Sequence, residues 1–273
     1  MKSMVTMSIA KEFLVSGVDG IPDYSVNQFK KKNKRIALVI PVIDEGKRII
    51  NQLEKIKELD PEVDVIIADG GSTDVSRKYF FSENNIITVL LTKKSAGGLS
   101  AQLRMAFHYC VENDYEAIIT MDGNDKDGPE GIQRFLDELN QGRDFIQGSR
   151  FIKGGKAVNT PILRLIAIRL LHAPLTSIAA GRIYTDSTNG FRGFRTDAIA
   201  DDRVNFQRQV FDSYELLAYL PIRISRLKLN CIEVPVSRTY PIGLKTPTKI
   251  SGFKGLLRLL TILIGAALGK YNP

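Results

Sequence analysis

Apolar positions in the first half of the chain fall into two alternating kinds of run. Residues 35–41, 63–68, 86–91, 116–121 and 145–147 are short and almost continuously apolar, the pattern of strands buried on both faces. Between them the apolar residues take helical spacing. In 45–59, Ile49, Ile50, Leu53 and Ile56 share mostly one face, and similar patterns predict helices near 74–82, over 99–112 and over 129–140. Pro129 suits the first turn of the last of these. Repeated strand–helix units predict an α/β fold with a mainly parallel, Rossmann-like sheet and right-handed crossovers.

The second half is patterned differently. Residues 161–180 read as a strongly apolar helix that carries Arg164 and Arg169. Residues 188–195 resemble a short edge strand, 206–220 a helix, 229–236 a strand ending at Pro235, and 253–268 a last apolar helix with basic ends. There is no internal repeat and no low-complexity tract. The economical division is an N-terminal extension over 1–35, one domain over 36–250, and a C-terminal apolar and basic helix over 251–273.

Composition narrows the function classes. With 44% hydrophobic and 25% charged residues in 273, the chain can build a globular core. Cys110 and Cys231 form neither a zinc motif nor a disulfide framework, which points to a reducing, cytoplasmic setting. Only two histidines occur, His108 and His172, too few for a histidine metal site. A net charge of +8 and a pI near 9.4 imply an anionic partner, either a membrane surface or a phosphorylated substrate. No nucleic-acid-binding signature is present, so nucleic acid is not expected. No signal peptide is read, and no uncharged run approaches the ~20 residues of a membrane span. The basic, apolar segments 161–180 and 253–268 instead suggest peripheral attachment to the cytoplasmic face of an anionic membrane.

Candidate chemistry gathers where strands end. Asp122, Asn124, Asp125 and Asp127 follow the strand 116–121. They are either a solvated acidic turn or a set of hard oxygen donors for Mg²⁺ or Mn²⁺. A second strand ends alike, in Asp69-Gly70-Gly71-Ser72-Thr73-Asp74. Here Asp69 can accept hydrogen bonds from a uracil imide or a ribose hydroxyl, while Asp74 can favour the start of the next helix. Arg150, after the strand 145–147, is placed to reach a phosphate, and Lys94 precedes a Gly97-Gly98 loop that opens a helix. The chain has neither a Walker lysine motif nor a GxGxxG fingerprint, which argues against P-loop hydrolysis and dinucleotide binding.

Six motifs then fall in a familiar order: Ile40–Glu45, Asp69–Asp74, Lys94–Ala101, Asp122–Glu130, Gly148-Ser149-Arg150 and Asn189-Gly190-Phe191-Arg192. Over about residues 36–250 the chain resembles the family 2 glycosyltransferases, in the branch containing dolichol- and undecaprenyl-phosphate sugar synthases. The resemblance implies a GT-A-type fold, a UDP- or GDP-sugar donor, Mg²⁺ or Mn²⁺, inversion at the anomeric carbon and a lipid-linked or polyprenyl-phosphate acceptor. It implies that Pro41, Ile43 and Glu45 line the base and ribose site, with Asp69 on the base and Lys94 nearby. Asp122 and Asn124 would hold the metal, and Arg150 and Arg192 would face phosphate. Arg164, Arg238 and Lys249 would serve the acceptor, and Glu215 would be the base if the acceptor were a sugar hydroxyl. The chain departs from the family pattern at Asp44, Asn124, Lys126 and Asn189. Lys126 stands where a glutamine often helps at the metal; a lysine there would repel a cation or supply part of its charge. A soluble saccharide acceptor, or a nucleotide-sugar-binding scaffold with a decayed metal motif, are the alternatives.

Overall fold

A computed structural model describes residues 11–83, 85–241 and 252–273. In chain order the elements begin with β1 (Lys11–Val15), β2 (Tyr24–Gln28), β3 (Ile36–Val42), α1 (Lys47–Leu59), β4 (Asp64–Asp69), α2 (Val75–Phe80) and β5 (Ile87–Lys93). They continue with α3 (Leu99–Glu112), β6 (Ala117–Thr120), α4 (Ile132–Asn140) behind a single 3-10 turn, β7 (Phe145–Ser149) and β8 (Lys156–Val158). After α5 (Ile162–Ala167) and α6 (Ala173–Ala180) come β9 (Arg192–Arg195), α7 (Thr196–Ala200), α8 (Glu215–Arg226), β10 (Cys231–Pro235), β11 (Ser237–Thr239) and α9 (Gly252–Ala267).

Among the described residues nine strands form one sheet in the order β1-β2-β5-β4-β3-β6-β9-β7-β10. The pairs β5–β4, β4–β3, β3–β6 and β7–β10 are parallel, as the alternating pattern predicts. Side chains alternate across β3 and β4, so one set of residues serves each face. Leu38, Ile40, Val65 and Ile67 pack with Ile49, Leu53 and Ile56 of α1 and Phe135 of α4. Ala37, Val39, Ile66 and Ala68 pack with Met105 and Phe107 of α3, Leu216 of α8 and Ile262 of α9. Helices therefore pack on both faces of the sheet.

Three expectations need correction. Residues 11–28, in which the pattern gave no strand, hold β1 and β2, and β2 extends the sheet by pairing antiparallel with β5. Both strands are only five residues long and are separated by a segment with Gly17, Gly20 and Pro22, which hid the alternation. β9 is not an edge strand but lies between β6 and β7, antiparallel to both. It fits there because Gly193 has no Cβ, where one would press within 3.1–3.2 Å of Ile146 and Phe135. The helix expected over 206–220 begins only at Glu215 and runs through Pro221 to Arg226. Phe206 and Phe211 are core residues of an irregular crossing rather than one face of a helix. Phe211 packs against Tyr219 with ring centroids 4.8 Å apart, and the Asp212 carbonyl accepts the Gly98 and Ala101 amides at the start of α3.

The run 162–180 is helical throughout but widens to a π turn over 168–172, just ahead of Pro174, which has no N–H to donate. Its 19 residues, Arg164 and Arg169 among them, meet the length and apolarity of a membrane span. In the fold, however, it buries Ile168, His172, Ala173, Thr176, Ala179 and Ala180 within the domain.

Candidate active site

The carboxyl ends of β3, β4 and β6 open into a cavity of about 1020 Å³. Pro41, Ile43, Glu45 and Gly70 line it from the β3 and β4 turns, and Asp122, Gly123 and Asn124 from the end of β6. Gln102 of α3 ties two of these strand ends together, donating to the Val42 and Ala68 carbonyls at 2.9 and 3.0 Å. Asp44 joins the two turns: its amide donates to Ser72 Oγ at 3.0 Å and its carboxylate accepts the Thr73 amide at 2.8 Å. The helical wall opposite is apolar, with Leu163, Ile168, Leu217, Leu259 and Leu263.

A charged cluster sits on the cavity wall after β6. Arg238 Nη2 donates to Asp122 Oδ2 at 2.8 Å, and its Nη1 to Asp127 Oδ2 at 2.6 Å. The backbone enforces this pairing, because Asp127 and Arg238 form an antiparallel bridge and the Thr239 amide donates to the Lys126 carbonyl at 2.8 Å. Burial works to raise the Asp122 carboxyl, but the charge and hydrogen bond of Arg238 outweigh it and hold it below the usual carboxylate range. Burial pushes Asp127, which is 2% exposed, up to about 6 despite Arg238. Lys126 is also buried, with Nζ 5.2 Å from the Tyr240 ring centroid. Burial and then Arg238 lower its ammonium pKa, while Asp122 opposes them. Arg164 Nη1 donates to the Tyr240 hydroxyl at 3.1 Å, so Tyr240 gathers the basic residues of this wall. Gly190 packs on Asp122, and a Cβ there would run into the carboxylate.

The residues as placed do not fit the divalent ion implied by the resemblance. Asp125 lies in the left-handed region at φ 56° and gives its carboxylate to Lys55, at 2.7 Å. Asp127 gives Oδ2 to Arg238 while its buried Oδ1 has no hydrogen-bond partner, and Asp122 shares that guanidinium. Asn124 keeps a buried Oδ1 with no hydrogen-bond partner, but it is a neutral donor. Among the described residues no group of three His, Cys, Asp or Glu side chains is arranged to hold a metal. Two cations, Arg238 and Lys126, already line the place where a third would go.

The arginines expected at phosphate are held firmly. Arg150 forms a two-pronged pair with Asp186, Nε–Oδ2 2.6 Å and Nη2–Oδ1 2.8 Å, with both residues buried. Arg192 donates to three backbone carbonyls, those of Asn189, Ser187 and Leu217. Burial pulls its pKa down to about 10, so it remains charged at neutral pH.

Pro41, Ile43, Glu45, Asp122 and Asn124 line the cavity, as do Arg150, Arg164, Arg192 and Arg238. Four other residues singled out in the sequence lie off it. Asp69 is fully buried and fixes its own turn, with Oδ1 accepting from Ser72 N at 2.9 Å and Ser72 Oγ at 2.6 Å, while Oδ2 has no hydrogen-bond partner. Asp74 caps α2 by accepting the Ser76 amide at 3.0 Å. Lys94 is exposed, and its loop reaches the cavity only through Gly97, Gly98 and Leu99. Glu215 opens α8 and accepts the Ser213 amide at 2.5 Å. Lys249 lies outside the described residues. Asp186, Tyr240 and the apolar wall were missed. Asp186 is a single aspartate in a polar turn, with no sequence signal to set it apart, whereas the apolar wall was visible as two apolar helices whose shared function was not.

The model of glycosyl transferase family 2 matches residues 37–202. The chain is 26% identical over 206 residues to the undecaprenyl-phosphate mannosyltransferase of Micrococcus luteus, covering 74% of this chain and 83% of that one. It is 22% identical to the polyprenol monophosphomannose synthase of Mycolicibacterium smegmatis, covering 77% and 79%. It is 24% identical to the UDP-N-acetylglucosamine–dolichyl-phosphate N-acetylglucosaminyltransferase of Methanococcus voltae, covering 86% and 99%. Among solved structures, it is similar in fold to glucosyl-3-phosphoglycerate synthase from Mycobacterium tuberculosis, solved in complex with Mn²⁺, UDP and phosphoglyceric acid. The TM-score is 0.58 at 14% identity, over 87% of this chain and 78% of that one.

Proposed function

The chain belongs to glycosyl transferase family 2 and is a glycosyltransferase of GT-A-type fold, and from that premise we propose that it transfers a sugar from a UDP- or GDP-sugar to a polyprenyl phosphate. It does so with inversion, at the cytoplasmic face of a membrane. The observation that carries the reading is the make-up of one cavity. Its strand-end side offers a nucleotide site, basic residues line its wall, and Leu163, Ile168, Leu217, Leu259 and Leu263 offer an apolar surface to a lipid tail. Several relatives are named for undecaprenyl, polyprenol or dolichyl phosphate acceptors, which supports the same acceptor class. A phosphate acceptor is already ionised and needs no general base. That accords with the position of Glu215, which is not among the residues lining the cavity. One acceptor oxygen attacks the anomeric carbon, and the nucleoside diphosphate leaves with the electron pair of the broken bond.

The outer face of 162–180 supports the membrane setting. Ile162, Ile166, Leu170 and Ile178 recur at multiples of four residues and are exposed, Ile178 by 80%. Arg169 is exposed beside them. Such a stripe lies in a lipid interface, and each well-placed basic residue adds about 1 kcal/mol on anionic lipids. The protein is therefore expected to float with anionic vesicles at low salt and to dissociate as salt rises. The double change Ile166→Asp, Leu170→Asp should weaken flotation roughly tenfold or more, from lost apolar burial, with an unchanged melting temperature. A wild-type protein that stays with the soluble fraction at low salt would count against the membrane setting.

A further inference from the structure

The donor diphosphate must be neutralised as it leaves, and the site as built gives a divalent ion no adequate place. We infer that Lys126, set beside Arg238, supplies that positive charge, so that nucleotide binding and transfer are independent of a divalent metal. The inference rests on the transferase reading above and assigns the charge that the reading requires.

Three observations converge on Lys126. Its backbone is fixed by the Thr239 amide on its own carbonyl and by the Asp127–Arg238 bridge beside it. Its side chain is buried, yet it lines the cavity with Asp122 and Asn124, the residues expected to hold the metal. Arg238 also bonds one oxygen of each nearby carboxylate, Asp122 and Asp127. A divalent ion at Asp122 would have to share that carboxylate with a guanidinium already in contact with it. A diphosphate would instead meet Lys126, with Arg164 on the same wall. In the reaction the bond between the anomeric carbon and the β-phosphate oxygen breaks and its electron pair stays on the diphosphate. Lys126 stabilises that charge and gives up no proton.

Calorimetric titration of UDP and of GDP into the purified protein, in EDTA and then in excess Mn²⁺, tests this directly. The expected result is binding of at least one nucleotide in EDTA with a dissociation constant that Mn²⁺ leaves essentially unchanged. Lys126→Gln should weaken binding in EDTA by about tenfold or more, the loss of one charge-assisted contact, and Lys126→Arg should recover much of it. Melting curves establish that both variants are folded; if Lys126→Gln is not, the wild-type comparison still decides. Wild-type binding that appears only with Mn²⁺ overturns the inference and leaves the transferase reading standing. Binding of neither nucleotide in either condition overturns both.

Discussion

Asp122→Ala is expected to lower sugar transfer by about two to three orders of magnitude while leaving the protein folded, the scale of losing one preorganised electrostatic contact at a reacting centre. Asp122 is set at the end of β6 by the parallel pairing of β6 with β3. Its carboxylate lines the cavity and holds one arm of Arg238. Removing it frees that arm and removes the anion facing Lys126, so the charge pattern of the cavity wall changes at both cations. The fold should survive for two reasons. The Asp122 side chain is 26% exposed and supports no apolar core. Arg238 also keeps its bond to Asp127, so that guanidinium is not left unpaired. Turnover measured alongside melting temperature separates the effects. A folded variant with near-normal turnover would remove Asp122 from the site.

The largest expected loss of stability comes from Asp186→Ala. Asp186 is fully buried and receives Nε and Nη2 of Arg150, together with the Arg150 backbone amide at 3.2 Å. Deleting one partner of a buried pair strands the other charge and costs about 3–5 kcal/mol. For a chain of this size that corresponds to a drop in melting temperature on the order of 10 °C. The double change Arg150→Met, Asp186→Leu should recover much of that stability, because no charge is then left unpaired. Arg150 lines the cavity, so activity should stay low in the double variant even as stability returns. Equal melting temperatures for Asp186→Ala and the wild type would show that the pair contributes little. Thermal unfolding of the two variants gives both answers.

Much of the parallel half was legible because its strands are buried on both faces and their apolar runs have little else to mean. The helix expected over 99–112 has those bounds in the structure, and the strand expected over 63–68 is found at 64–69. Legibility fails where tertiary packing sets the element. β2 exists because Tyr24 and Val26 dock beside β5, and β9 because a glycine lets a short strand fit between two others. The start of α8 was misread because Phe206 and Phe211 are buried by a crossing segment whose spacing imitates a helix. At the site, motif order brought Asp122, Arg150, Arg192 and Arg238 to one cavity. It did not reveal that one carboxylate oxygen of Asp69 accepts from Ser72, or that Asp186 holds Arg150. Those depend on which polar groups are buried together, and a one-dimensional pattern of charges does not encode that.

The central claim is transfer to a lipid phosphate, and the reaction itself tests it most directly. The protein is incubated with labelled UDP- and GDP-sugars and with anionic vesicles that carry polyprenyl phosphate. The account predicts that label from at least one donor moves into the lipid fraction, with an equal amount of nucleoside diphosphate released. Label that never enters lipid from any donor, while a soluble saccharide accepts it or the donor is only bound, would contradict the account.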